Sequence, residues 1–150
     1  MNCFKGGTAM ISPGLLRPYR FFTSLTDEQI NDIAAIGEEK SFSADSVLFR
    51  ESTPADNLML LLEGAVDLFY SNGGAGAAAN STVCSIAPGA IFGVSSLIKP
   101  YQYTASARAT KPVRVVDING ARLRAMSENN PTLGHVLISN VAAAVLARLR

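Results

Sequence analysis

The sequence predicts an α+β protein that is mainly β, with helices at the two ends of an antiparallel β-core. A helical signal precedes residue 40, short apolar runs alternate with turn residues up to residue 118, and helical spacing returns after residue 120. The chain has 150 residues, of which 48% are hydrophobic and 17% are charged, so it can bury one core without disulfides or metals. Intrinsic disorder is therefore excluded.

The first clear helix begins at a capping box. Thr26 is the expected N-cap residue, and Gln29 stands three positions later, where its side chain can reach back to the cap amide. Apolar residues then recur at helical spacing up to Ile36, and Gly37 is expected to end the helix. Residues 1–20, which precede this region, are predicted to be an N-terminal extension.

The β-core is predicted as a series of short strands between residues 40 and 118. Glycine, proline, aspartate and serine separate them, because these residues supply the conformations that turns need. The glycine-rich residues 71–80 are predicted to be a hairpin tip and not a dinucleotide-binding loop, since a strand follows them where that loop needs a helix. The predicted strands are Lys40–Ser43, Val47–Arg50, Leu58–Glu63, Ala65–Ser71, Thr82–Ile86, Thr104–Ala109 and Val113–Ile118.

Two helices are predicted after the β-core. A short helix covers about Ala121–Glu128, and a longer one follows Pro131, with Asn130 or Thr132 as its cap. The apolar stripe of the longer helix can pack against a second copy of the chain or against the chain's own β-core, and we expect a homodimer. Its residues are Leu133, Val136, Leu137, Val141, Ala144, Val145 and Leu149.

Composition argues against several classes of function. The net charge of +1 is not that of a strongly basic nucleic-acid binder. This value is the sum of an acidic segment at residues 26–63 and a basic segment at residues 108–150. Cys3 and Cys84 are expected to be free thiols, and His135, the single histidine, completes neither a metal site nor a catalytic constellation. No signal peptide or membrane span is recognisable, so we expect a cytoplasmic protein that is not an enzyme and contacts neither membrane nor nucleic acid.

The segment Pro88–Tyr103 is the best candidate for a binding site. Phe92 and Gly93 lead from a strand into one predicted helical turn at Val94–Ile98. Backbone amides at the start of such a turn lack partners within it, and a glycine lets a ligand approach the backbone closely. The strand Thr104–Ala109 is expected to form the opposite wall, so this segment favours a small anionic ligand.

In order and spacing, these motifs resemble the cyclic nucleotide-binding domain of catabolite-activator and fumarate–nitrate-type bacterial regulators, kinase regulatory subunits and gated channels. LMLLLEGAV at Leu58–Val66 resembles the second strand group of that family. IAPGAIFGVSSL at Ile86–Leu97 resembles the start of its phosphate-binding cassette, and YTASARA at Tyr103–Ala109 resembles the closing strand. The resemblance covers residues 21–150.

The resemblance implies a double-stranded β-helix jelly roll at about residues 40–118 and hinge and dimerisation-type helices at about residues 121–150. It also implies a non-enzymatic regulatory sensor whose ligand is cyclic AMP, cyclic GMP or another small anionic effector. The alternative is a degenerate domain that binds no cyclic nucleotide and serves as a dimerisation or protein-interaction module. The candidate ligand-binding residues are Phe92, Gly93, Val94, Ser95, Ser96, Leu97, Tyr103, Thr104 and Ala105.

Two of these positions depart from the family pattern. Val94 stands where nucleotide-binding members carry a glutamate for the ribose hydroxyl, and Tyr103 stands where an arginine pairs with the cyclic phosphate. Arg108 is not expected to replace that arginine, because strand alternation places it on the face opposite Tyr103. Lys99 remains a less favoured source of a cation.

Overall fold

The computed structural model describes residues 9–71 and 80–148. Two antiparallel sheets make up the β-roll, and helices lie before and after it. In chain order the elements are β1 (Ala9–Met10), α1 (Pro13–Leu16), a 3₁₀ turn (Arg20–Phe22), α2 (Asp27–Ala34), β2 (Gly37–Phe42), β3 (Val47–Phe49), β4 (Asn57–Glu63), β5 (Val66–Ser71), β6 (Asn80–Ile86), β7 (Ile91–Phe92), a second 3₁₀ turn (Val94–Leu97), β8 (Ser106–Ala109), β9 (Val113–Asn119), α3 (Gly120–Asn129) and α4 (Pro131–Arg148).

The strand order is β1-β2-β9-β4-β7 in the five-stranded sheet and β3-β8-β5-β6 in the four-stranded sheet. The predicted α+β, mainly β, jelly-roll architecture with C-terminal helices is confirmed. The pairing of β5 with β6 extends to Ser71 and Asn80, as a hairpin requires, and the predicted tip between them lies outside the described residues.

Strand β4, which lies between β9 and β7 in the five-stranded sheet, is buried on both of its faces. Leu58 and Leu60 pack into the cluster that the helices cover, while Met59 and Leu61 pack into the cluster between the two sheets. This division follows from the alternation of side chains along a strand. A strand that is buried on both sides reads as a continuous apolar run, which explains the LMLLL sequence.

Helix α2 begins at the predicted capping box. The Gln29 amide donates to Thr26 Oγ1 at 3.1 Å, and the Thr26 amide donates to Gln29 Oε1 at 2.9 Å. The prediction that Gly37 ends this helix is wrong, because α2 ends at Ala34 and Gly37 is the first residue of β2. Packing explains the glycine, since a Cβ there would lie 3.1 Å from Ile11 Cδ1.

The predicted strands are confirmed with shifted boundaries, and two strands are not visible in the sequence. Strands β1 and β7 have two residues each, which is too short for alternation to be read. Part of the predicted N-terminal extension lies on the domain, since β1 pairs with β2 and Leu16 is fully buried. The predicted strand Thr104–Ala109 begins only at Ser106, so alternation does not reach Tyr103.

The C-terminal helices close one side of the β-roll. Asn130, one of the two predicted caps, accepts a hydrogen bond from the Leu133 amide at 3.3 Å, and Pro131 is the first residue of α4. Along α4, Leu133, Leu137 and Val141 pack into the cluster that also holds α2 and the outer face of the five-stranded sheet. This face of α4 therefore belongs to the chain's own core.

Candidate functional site

The site is built where β7 passes into the second 3₁₀ turn. Gly93 adopts a φ of 75°, which is left-handed, and a Cβ on it would lie 2.8 Å from the Asn57 carbonyl oxygen. Only glycine meets both conditions without strain. The Ser96 hydroxyl, which is fully buried, donates to the Gly93 carbonyl at 2.8 Å and stabilises the turn from inside.

Tyr103 occupies the opposite wall. Its ring stacks on Phe49 with the centroids 3.8 Å apart and the planes 11° apart. Its hydroxyl donates to the Asn57 carbonyl at 3.1 Å and accepts from the Asn57 amide at 3.2 Å. Burial raises the pKa of this hydroxyl, and the hydrogen bond with Asn57 opposes that rise only in part. A neutral, firmly held ring thus fills the position where the family resemblance implies an arginine.

Six of the nine predicted binding residues line one small cavity of about 70 Å³. The other three do not: Phe92 is buried between the sheets, Ser96 bonds within its own turn, and Leu97 packs toward the helices. Whether the lining residues bind a ligand stays a prediction. They are Phe49, Leu68, Gly93, Val94, Ser95, Tyr103, Thr104, Ala105 and Arg148.

Among the described residues that line this cavity, the cation is Arg148, which the sequence analysis missed. It is the last residue of α4, and its guanidinium donates to the carbonyl of Ile91 in β7. Burial lowers the pKa of this guanidinium. Its spacing from Leu137 and Val141 places it on the buried face of α4, which is the one signal in the sequence that could have located it.

Arg108 and Lys99, the two cations that the sequence analysis considered as partners of a bound anion, lie outside the cavity. Arg108 is exposed on β8, where it stands opposite Val47 and Asp67 in the neighbouring strands. Arg108 is not among the residues that line the cavity in the described part of the chain, and its lack of a role in binding stays a prediction. Lys99 is also exposed and does not line the cavity.

The 3₁₀ turn of the cavity is linked directly to helix α3. Arg124 of α3 donates to the Ser96 carbonyl, and its guanidinium lies 4.1 Å from the centroid of the Tyr101 ring. The Gly120 amide at the start of α3 donates to the Asp56 carbonyl at 2.7 Å. Two contacts of Arg124 therefore join α3 to the 3₁₀ turn and to the segment that follows it, one with a backbone carbonyl and one with an aromatic ring.

Within residues 9–71 and 80–148, no three His, Cys, Asp or Glu side chains are grouped as a metal site would need. His135 is exposed on α4, Cys84 is a free thiol, and Cys3 lies outside the described residues. None of the helices in the described part of the chain is long and apolar enough to cross a membrane.

The family model for the cyclic nucleotide-binding domain matches residues 39–130. Among solved structures, a protein from Geobacter metallireducens GS-15, assigned as a cyclic nucleotide-binding protein, is 73% identical, with a TM-score of 0.87 over 94% of this chain and 100% of that chain. Curated proteins give no match.

Two regulator domains are also similar. The N-terminal domain of a transcriptional regulator from Streptomyces coelicolor A3(2) is 26% identical, with a TM-score of 0.67 over 89% of this chain and 91% of that chain. The sensor domain of the transcriptional regulator DNR from Pseudomonas aeruginosa is 16% identical, with a TM-score of 0.71 over 88% and 91% of the two chains. At that identity the second likeness shows a shared fold alone.

Proposed function

Because the chain belongs to the cyclic nucleotide-binding domain family, we propose that it is a non-enzymatic sensor module that binds a small anionic effector in its β-roll pocket. In this proposal residues 21–150 act as one unit. The β-roll at about residues 40–118 holds the effector, and the helices at about residues 121–150 transmit its presence.

The chemistry of the cavity wall carries this proposal. Arg148 supplies a positive charge, Ser95 and Thr104 supply hydroxyl groups, and no carboxylate is among the residues that line the cavity in the described part of the chain. Hydrogen bonds to a charged group are shorter and stronger than neutral ones, so this set favours an anion. A compact anion is the proposed occupant, because a cavity of about 70 Å³ is well below the range of roughly 300–1,000 Å³ of pockets that enclose drug-sized ligands.

A cyclic nucleotide is expected to bind weakly for two reasons. The position of the phosphate-pairing arginine is taken by Tyr103, which is held by Phe49 and Asn57. The position of the ribose-binding glutamate is taken by Val94. One lost charge-assisted hydrogen bond lowers affinity by about 1.5–3 kcal/mol, which is roughly tenfold or more.

Titration calorimetry tests the effector class with inorganic phosphate, cyclic AMP and cyclic GMP as probes. We expect phosphate to bind more tightly than either nucleotide and its affinity to fall about tenfold in Thr104→Val. Thr110→Val, at another exposed threonine, is the matched control and should leave phosphate affinity unchanged. Micromolar binding of cyclic AMP to the wild-type protein, or equal effects of both threonine changes, would contradict the proposal.

A second candidate function, dimerisation, is favoured by the free face of α4. Ile138 and Leu146 are 48% and 60% exposed, and they lie two helical turns apart on the side away from the core. Contiguous exposed apolar surface marks protein–protein interaction sites, so this face is the one on which a second copy of the chain would pack. Val141, which the sequence analysis placed in the dimer stripe, is only 2% exposed and packs on the chain's own core instead.

Sedimentation of Ile138→Lys combined with Leu146→Lys tests this second function. We expect the wild-type chain to sediment as a dimer and this variant as a monomer, because two charges then face an apolar interface. Ala121→Lys combined with Ala125→Lys adds the same charge to exposed positions of α3 and should keep the dimer. A monomeric wild-type chain contradicts the dimer, whatever its effector.

A further inference from the structure

A groove of about 680 Å³ lies between α4 and the β-roll, on the other side of Arg148 from the small cavity. Residues 18–21 and 84–91 form two of its walls, and one face of α4 forms the third. The groove is open because α4 presents alanines there, among them Ala143 and Ala147. Their side chains are too short to reach the sheet, so the space between helix and sheet stays unfilled.

Most of the residues that line the groove are apolar, Ser85 and Asn140 are polar, and the charged residues among them are cations. Ile86 and Ile91 contribute buried aliphatic surface, while Arg20 and Arg148 contribute cations. Among the described residues that line it, none is acidic. The groove is therefore complementary to a molecule that is apolar over most of its surface and negatively charged at one end.

Arg148 marks the place of that charge. Within the described residues its guanidinium has the Ile91 carbonyl as hydrogen-bond partner, and no carboxylate lies within ion-pair distance. Burial lowers the pKa of this guanidinium, so the described residues leave part of the desolvation of its charge uncompensated. An anion in the groove would compensate it with a charge-assisted hydrogen bond.

We propose that this groove is a binding site for an apolar monoanion, such as an aliphatic or aromatic carboxylate, whose charged group pairs with Arg148 and whose body lies against Ala143, Ala147 and Pro88. Its volume falls within the range of roughly 300–1,000 Å³ that is typical of small-molecule sites. The groove shares Arg148 with the β-roll pocket of the proposed function, whereas the rest of its lining is different.

Calorimetry of the full chain with decanoate and 1-naphthoate, and with decanol and naphthalene as their uncharged counterparts, tests this site. We expect at least one carboxylate to bind, and to bind about tenfold or more tightly than its counterpart. Ala147→Leu should lower carboxylate affinity at least tenfold because the new side chain fills the groove. Ala125→Leu, the same change at an exposed position of α3 outside the groove, should have no effect.

Arg148→Met should bring the affinity for the carboxylate down to that for its uncharged counterpart. Thr104→Val distinguishes binding in the groove from binding in the β-roll pocket. It should weaken phosphate binding and leave carboxylate binding unchanged, because Thr104 lines only the pocket. Absence of binding by both carboxylates overturns the proposal, as does an equal effect of Ala147→Leu and Ala125→Leu. It is also overturned if Ala147→Leu changes the sedimenting mass while carboxylate affinity stays the same, because a second copy of the chain then occupies the groove.

Discussion

Restoring the two side chains that the nucleotide-binding pattern lacks should create a cyclic nucleotide site. The perturbation is Tyr103→Arg combined with Val94→Glu. Both positions line the small cavity, and Val94 directly follows the left-handed Gly93. The new guanidinium would take the place of the Tyr103 ring beside Phe49, and the new carboxylate would stand at the start of the 3₁₀ turn.

The gain in affinity has to be weighed against a loss of stability. Each new charge-assisted hydrogen bond contributes about 1.5–3 kcal/mol, so cyclic AMP should bind at least roughly tenfold more tightly. Removing Tyr103 loses its stacking on Phe49 and the two hydrogen bonds with Asn57, which together contribute about 2–4 kcal/mol. That corresponds to a fall in Tm of roughly 5–15 °C, which a domain of ordinary stability survives.

The assay is titration calorimetry with cyclic AMP at a temperature where circular dichroism shows the variant folded. Tyr103→Met combined with Val94→Gln is the matched control, since it opens similar space without adding charge and should not raise the affinity. The reasoning is refuted if the charged variant is folded and gains no affinity over the wild-type chain. It is equally refuted if the neutral control gains as much, because space and not charge would then limit binding.

Two further predictions concern stability. Gly93→Ala should lower the free energy of unfolding by about 1–3 kcal/mol more than Gly89→Ala does. Both glycines have a positive φ, so both changes strain the backbone. A Cβ on Gly93 would also lie 2.8 Å from the Asn57 carbonyl oxygen, whereas the atom nearest to a Cβ on Gly89 is 3.6 Å away. Equal losses in denaturant titrations would show that the close approach is unimportant. Burial alone would lower the pKa of Lys40, but the carboxylates of Asp117, 2.8 Å from the Lys40 Nζ, and of Glu38 outweigh it and raise this pKa above its ordinary value. Lys40→Met should therefore lower the Tm at pH 8, and the difference from wild type should shrink as the pH rises above 10.5; a constant difference up to pH 12 would contradict this.

Much of the pocket could be predicted because its elements are close in sequence. Gly93 and the turn that follows it are one local unit, and Tyr103 to Ala105 return to that unit a few residues later. Local units of this kind depend on backbone conformation, which glycine and the turn residues report directly. Phe92, Ser96 and Leu97 do not line the cavity, since the direction of each of these side chains depends on the layers packed on either side of the segment.

The sequence by itself determined the mainly β fold between helices, the capping box of α2 and the strand β4 that is buried on both faces, because these features depend on neighbouring residues and on the period of the apolar pattern. Only the tertiary structure decided what the pocket contains. Packing of β3 against the segment before β8 places Phe49 on Tyr103, and packing of α4 on the β-roll brings Arg148 to the cavity and opens the groove beside it. These contacts join residues that are distant in the chain, and their partners are selected by the shape of the assembled layers, which no local pattern encodes.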